Sequence, residues 1–94
     1  MKLVKQCQDL YGDLSISNQR LLTQMLESPS EEIWFKARKI VISPNPIITL
    51  EMAVKRITNG SLNEPPDPFT IYRALRYSIE KAAHFKNRQM GVAF

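Results

Sequence analysis

The sequence has few of the residues on which catalytic and metal centres are usually built. Its 94 residues include one cysteine, Cys7, one histidine, His84, and three glycines. A single thiol permits neither an internal disulfide nor a cysteine-based zinc site. His84 has no partner at the spacing of a metal site, and three glycines leave no phosphate-cradling loop. We therefore expect no metal, no cofactor and no enzymatic activity.

Cys7 itself falls on the apolar side of a short predicted helix, and no base is close to it in the sequence. A thiol in apolar surroundings stays protonated and is a weak nucleophile. The sequence therefore predicts a buried, inert cysteine.

Long hydrophobic runs are also missing. The longest apolar runs have three residues, as in Ile40-Val41-Ile42, whereas a membrane-spanning helix needs about 20. Charged residues recur within the first six positions, before an apolar stretch develops, so this segment does not resemble a secretion signal. We expect no contact with membranes and a cytoplasmic location.

The overall composition is that of a folded chain. Apolar residues make up 44% of the sequence and charged residues 23%, close to ordinary globular values. A chain of this length fits one domain, residues 1–94. It can bury only roughly 60–65% of its unfolded surface, so its core must be modest.

Apolar residues recur at helical spacing in five stretches. These predicted helices cover approximately 3–11, 18–28, 29–41, 50–58 and 68–89. The third begins with the capping pattern Ser28-Pro29-Ser30-Glu31 and the fifth with Asp67-Pro68. Thr49 can cap the fourth helix, and Asn59-Gly60 can close it. The sequence predicts a small all-α domain of four to five helices with a long amphipathic C-terminal helix.

Residues 40–49 allow a second interpretation. The segment Ser43-Pro44-Asn45-Pro46 cannot be helical throughout, and it separates the β-branched runs 40–42 and 47–49. A short β-hairpin at about 40–49 is therefore possible. We favour a helix-loop-helix because Ile40 and Val41 continue the apolar stripe of the third helix.

Positive charge is concentrated after residue 34. Residues 1–34 hold three basic and five acidic residues, and residues 35–94 hold ten basic and four acidic ones. On the last helix the apolar residues share one side. The opposite side gathers Arg73, Arg76, Tyr77, Glu80, Lys81, His84 and Arg88. This charge distribution indicates an acidic partner.

The basic side of the last helix suggests a nucleic-acid-binding module. Its cations can meet phosphates, and Tyr77 and His84 can stack or form hydrogen bonds. The preceding helix adds Lys55 and Arg56. The loop of about eight residues between the two helices is longer than the turn of a helix-turn-helix motif. The leading hypothesis is a non-enzymatic regulatory module that binds DNA or RNA. The alternative is that this side of the helix is an ordinary solvent-exposed surface.

A protein–protein adaptor or small regulatory subunit is the second functional hypothesis. Trp34 and Phe35 project about 100° apart on one helix, so Phe35 is the candidate for exposure. The terminal Val92-Ala93-Phe94 gives a second apolar patch. On this interpretation Phe35, Val92 and Phe94 bind a protein partner or a second copy of the chain.

Overall fold

Helices dominate the structure. It is a computed structural model that describes residues 2–61 and 63–89, with only the backbone given for 86–89. The elements in these ranges are α1 (Lys2–Asp9), α2 (Ile16–Glu27), α3 (Glu31–Ala37), β1 (Val41–Pro44), β2 (Ile47–Thr49), α4 (Leu50–Ile57) and α5 (Pro68–Gln89). The predicted four to five helices and the long C-terminal helix are confirmed. Among the helices of the described ranges, none is long and apolar enough to cross a membrane.

Three of the predicted helix ends form as expected. The Met52 backbone N–H donates to Thr49 Oγ1 at 3.2 Å, and the Thr70 N–H donates to Asp67 Oδ1 at 2.7 Å. Each bond satisfies one of the free N–H groups of a first helical turn. Asn59 and Gly60 follow α4 with φ angles of 53° and 83°, the left-handed backbone that commonly closes a helix.

Two other helix starts differ from the sequence expectation. Helix α2 begins at Ile16, because Ser15 Oγ accepts from the Asn18 N–H at 3.2 Å. Helix α3 is capped by Ser30, whose Oγ accepts from the Ile33 N–H at 3.2 Å. Ser28, the predicted cap of α3, instead ends α2.

Residues 41–49 form the hairpin, and the favoured helix-loop-helix is wrong there. Strands β1 and β2 are antiparallel, with Val41 opposite Thr49 and Ser43 opposite Ile48, and with a register irregularity between Val41 and Ser43. The Leu50 N–H donates to Ile40 O at 2.9 Å, which extends the pairing past the strands. The β-branched residues of both runs are therefore used in a sheet rather than in a helical stripe.

One apolar core joins all the helices and the hairpin. Its largest fully buried side chain is Trp34 of α3. The Tyr11 hydroxyl lies 3.2 Å from Thr23 Oγ1 and so links the residues after α1 to α2. Helix α5 contributes the buried residues Ile71, Ala74, Leu75 and Ser78. Helix α5 is therefore anchored to the core along its first half, and its opposite side faces solvent.

Candidate nucleic-acid interface

The predicted basic side of α5 faces solvent wherever its side chains are described. Arg73, Arg76, Lys81 and His84 are exposed, and Tyr77 is half-buried. Arg88 falls within α5, in the stretch for which only the backbone is described. We call Arg73, Arg76, Tyr77, Lys81 and His84 the α5 basic face.

Two cations of this face lie over aromatic rings of the same helix. The Arg76 guanidinium lies over the Tyr72 ring at 5.9 Å, and the Lys81 ammonium lies over the Tyr77 ring at 5.7 Å. Such contacts are worth about 0.5–1 kcal/mol at exposed sites. They hold the long side chains beside the helix without neutralising their charge.

Glu80 is the acidic group on this side of α5. Its Oε1 lies 3.9 Å from an Arg76 guanidinium nitrogen, and both side chains are well exposed. An exposed pair one helical turn apart is worth only about 0.3–0.5 kcal/mol. Arg76 can therefore exchange this carboxylate for another anion at little cost.

A shallow groove runs between the end of α4 and the first half of α5. Its volume is about 430 Å³, and its lining consists of Ile57, Phe69, Tyr72, Arg73, Arg76, Tyr77 and Glu80. We call it the Phe69 groove. Phe69 is 60% exposed, and its ring centroid lies 6.4 Å from that of Tyr72, with the rings tilted by 42°. The groove thus combines aromatic faces with two guanidinium groups.

Phe69 was not among the site residues expected from the sequence. It occupies the first turn of α5, next to the capping Asp67-Pro68 pair, where it is easily taken for part of a helix start. The spacing of Phe69 nevertheless indicates its place in the site. Arg73 follows Phe69 by four residues, and Arg76 follows Arg73 by three. Residues at that spacing share one side of a helix.

Lys55, by contrast, lies in a separate cluster. Its ammonium is 3.9 Å from Glu51 Oε2, which is also 3.5 Å from a guanidinium nitrogen of Arg38. The Arg38 guanidinium in turn lies over the Phe35 ring at 4.6 Å. The structure therefore groups Lys55 with Phe35, and no ion pair or cation–π contact ties it to α5 among the described residues.

Arg56 is exposed on α4 and takes part in no ion pair with another described residue. The helix-loop-helix formed by α4 and α5 has ten residues between its helices, 58–67. This is longer than the three or four of a DNA-binding helix-turn-helix.

A connection of that short length does occur between α2 and α3, over residues 28–30. The first turn of α3 carries Glu31 and Glu32, both exposed. The recognition helix of such a motif contacts bases with its N-terminal residues, where these two carboxylates would repel phosphates. The α5 basic face is the better candidate for a polyanion.

The residues proposed for a protein partner are only partly described. Phe35 is 50% exposed on α3, with Arg38 stacked over it. Val92 and Phe94 lie outside the residues that the structure describes.

The second flank of α5 has the opposite electrostatic character. A groove of about 380 Å³ there is bordered by Asp9 and Asp13, by Ile42 and Ser43 of β1, and by Ile79 of α5. Two carboxylates at its rim disfavour a phosphate ligand. The two sides of α5 therefore differ in charge as well as in shape.

Cys7 is completely buried. Removal from solvent raises the pKa of its thiol from 9.0 to about 11, so the thiolate is scarce near neutral pH. The described residues, 2–61 and 63–89, contain no group of three or more histidine, cysteine or acidic residues placed so that it could hold a metal ion.

Neither a protein-family model, nor a curated protein, nor a solved structure matches this chain.

Proposed function

We propose that this protein is a non-enzymatic module that binds nucleic acid through the α5 basic face. The observation that carries the proposal is that exposed cations lie over aromatic rings along one side of an anchored helix. Arg76 lies over Tyr72 and Lys81 over Tyr77. Cations of this kind pair with phosphates, and the neighbouring rings offer surfaces for bases.

The distribution of charge supports a polyanionic partner. From Pro68 to the end of the sequence there are five basic residues and one acidic residue, Glu80. A concentration of positive charge accelerates association with an anionic ligand and is screened by salt. The proposal includes a cytoplasmic location, where a single thiol such as Cys7 stays reduced.

Salt-dependent binding tests this proposal. We expect fluorescently labelled DNA and RNA to bind at 50 mM salt, with log K falling linearly against log[salt] because phosphate contacts release counterions. The variant R73A/R76A should flatten that slope by about 1.5, since each phosphate contact contributes about 0.7–0.9.

The matched control is Arg20→Ala, which removes an exposed arginine from α2, within the acidic segment 1–34. It should leave the salt slope of the binding curve unchanged. Absence of binding to duplex and single-stranded DNA and RNA at low salt would contradict the proposal.

A second candidate function is that of a protein–protein adaptor or small regulatory subunit. It is favoured by the half-exposed Phe35 and by the outward side of the hairpin, where Val41 and Ile47 are 41% and 67% exposed. Exposed apolar side chains of this size anchor many interfaces. Light scattering over a range of concentrations and a pull-down comparing wild type with Phe35→Ala would test it. A strict monomer that captures no protein through Phe35 would exclude this candidate.

A further inference from the structure

We propose that the Phe69 groove binds the unpaired bases of a single strand of nucleic acid, and that Phe69 is the ring on which a base stacks. This inference rests on the proposed function and specifies the form of its ligand. The ligand chemistry is an unstacked base attached to a phosphodiester, which single-stranded DNA and RNA share.

The exposure of Phe69 is the first reason. The buried residues of α5 begin at Ile71, so the core does not require an aromatic ring in the preceding turn. Its ring stands beside the Tyr72 ring at a tilt of 42°, and 60% of the residue remains open to solvent. A planar apolar ligand entering the groove would cover this surface.

The charge beside the ring is the second reason. Arg73 and Arg76 line the same groove and follow Phe69 by one and two helical turns. A base stacked on Phe69 would therefore have cations on the α5 side to receive its neighbouring phosphates. Aromatic stacking flanked by guanidinium groups is the general arrangement by which proteins hold single strands.

The geometry disfavours a duplex in this groove. In double-stranded nucleic acid the faces of the bases are covered by their neighbours, and only their edges are accessible. Phe69 has no hydrogen-bonding group with which to contact an edge. A phenyl ring instead fits the π-face of an unstacked base.

Glu80 limits the length of strand that the groove can hold. Its carboxylate lies at the far end of the lining, next to Arg76, and it repels phosphates there. The strand should cross α5 between Phe69 and Arg76 and not follow the whole helix. Replacing Glu80 with Gln should consequently tighten binding of a single strand.

Fluorescence anisotropy with four ligands, each ten nucleotides long, provides the test. The probes are a dye-labelled oligothymidine and its oligouridine counterpart, a duplex of equal length, and an abasic strand that keeps the phosphates but lacks the bases. We expect Phe69→Ala to weaken binding of the oligothymidine or oligouridine by roughly 5- to 150-fold, which is the usual effect of removing one stacking ring. Its effect on the duplex and on the abasic strand should be less than twofold. A difference in affinity between the two single strands measures the combined effect of the sugar and of the thymine methyl group.

Phe35→Ala is the matched control variant. Phe35 is also a half-exposed phenylalanine beside an arginine, but it lies on α3. Its replacement should leave single-strand binding unchanged, and a loss equal to that of Phe69→Ala would overturn the placement of the site. Circular dichroism should show both variants folded, because neither ring is buried.

The outcomes separate this inference from the proposed function. If no oligonucleotide binds, both fail. If all probes bind and Phe69→Ala weakens them equally or not at all, base stacking is overturned while nucleic-acid binding stands. Polyglutamate of matched charge is a further probe. If it binds as tightly as the single strands and loses as much affinity on Phe69→Ala, the site binds acidic polymers in general and the inference is overturned.

Discussion

At the scale of single residues, Ser43 Oγ is, with Trp34 Nε1, one of the two buried side-chain polar atoms that have no hydrogen-bond partner among the described residues. Ser43 is 2% exposed in β1. Leaving a buried hydroxyl without a partner costs about 1–3 kcal/mol. Thr49, across the same hairpin, uses its hydroxyl to cap α4. The two hydroxyls therefore have opposite effects on stability.

Ser43→Ala should leave the free energy of unfolding unchanged or raise it by up to about 2 kcal/mol, since it removes an unsatisfied group. Thr49→Ala should lower it by about 1 kcal/mol, because the first turn of α4 loses its cap. Urea denaturation followed by circular dichroism measures both. A Ser43→Ala variant less stable than Thr49→Ala would mean that the Ser43 hydroxyl is bonded in solution.

At the scale of elements, the hairpin shows what periodicity alone cannot decide. Ile40, Val41 and Ile42 fit a helical stripe and a strand equally well, since short apolar runs do not distinguish the two. The outcome depends on tertiary contacts. Helix α3 ends at Ala37, and the backbone of 40 pairs with the start of α4 through the Leu50 N–H. A hydrogen bond between residues ten positions apart cannot be predicted from the spacing of apolar residues alone.

The starts of α3 and α5 show when a capping residue can be predicted from the sequence. Two serines, Ser28 and Ser30, lie close enough in sequence to the start of α3 for either to cap it. The second forms the cap, which makes the helix shorter than predicted. At α5 one candidate, Asp67, precedes a proline, and the predicted start at Pro68 is confirmed.

Asp67→Ala should destabilise the protein by about 1 kcal/mol, because the Thr70 N–H loses its acceptor and the helix N-terminus loses a favourable negative charge. The expected local effect is faster hydrogen exchange in the first turn of α5. Asp13→Ala is the control, since it removes an equal charge from an exposed residue outside the helices. Its effect should stay within about 0.5 kcal/mol.

At the scale of the whole molecule, the sequence predicted the solvent-facing side of α5 but not the grouping of side chains from different elements. Helical spacing placed Arg73, Arg76 and Lys81 together, as observed. Lys55 pairs instead with Glu51 on its own helix, and Glu51 also pairs with Arg38 at the end of α3, a contact between two elements that helical spacing does not predict. Likewise, the groove beside Phe69 exists because Ile57 of α4 forms its other wall.

A single core predicts a single unfolding transition. Trp34, the one tryptophan, is buried in the same apolar cluster as residues of α1, α2, α4 and α5. We expect its fluorescence and the far-ultraviolet circular dichroism to change at the same urea concentration, as for other small two-state domains. Midpoints that differ between the two signals would show that part of the helical structure unfolds independently of the core around Trp34.

The burial of Cys7 has a practical consequence for spectroscopy. Its thiol is inaccessible and largely protonated near neutral pH, and the chain has no other cysteine. A cysteine introduced at an exposed position, such as Ala83 on α5, would be the reactive one, so the native residue need not be removed first. The natural sequence is thus ready for site-directed spin labels or dyes, with which the approach of a partner to α5 can be measured as a distance.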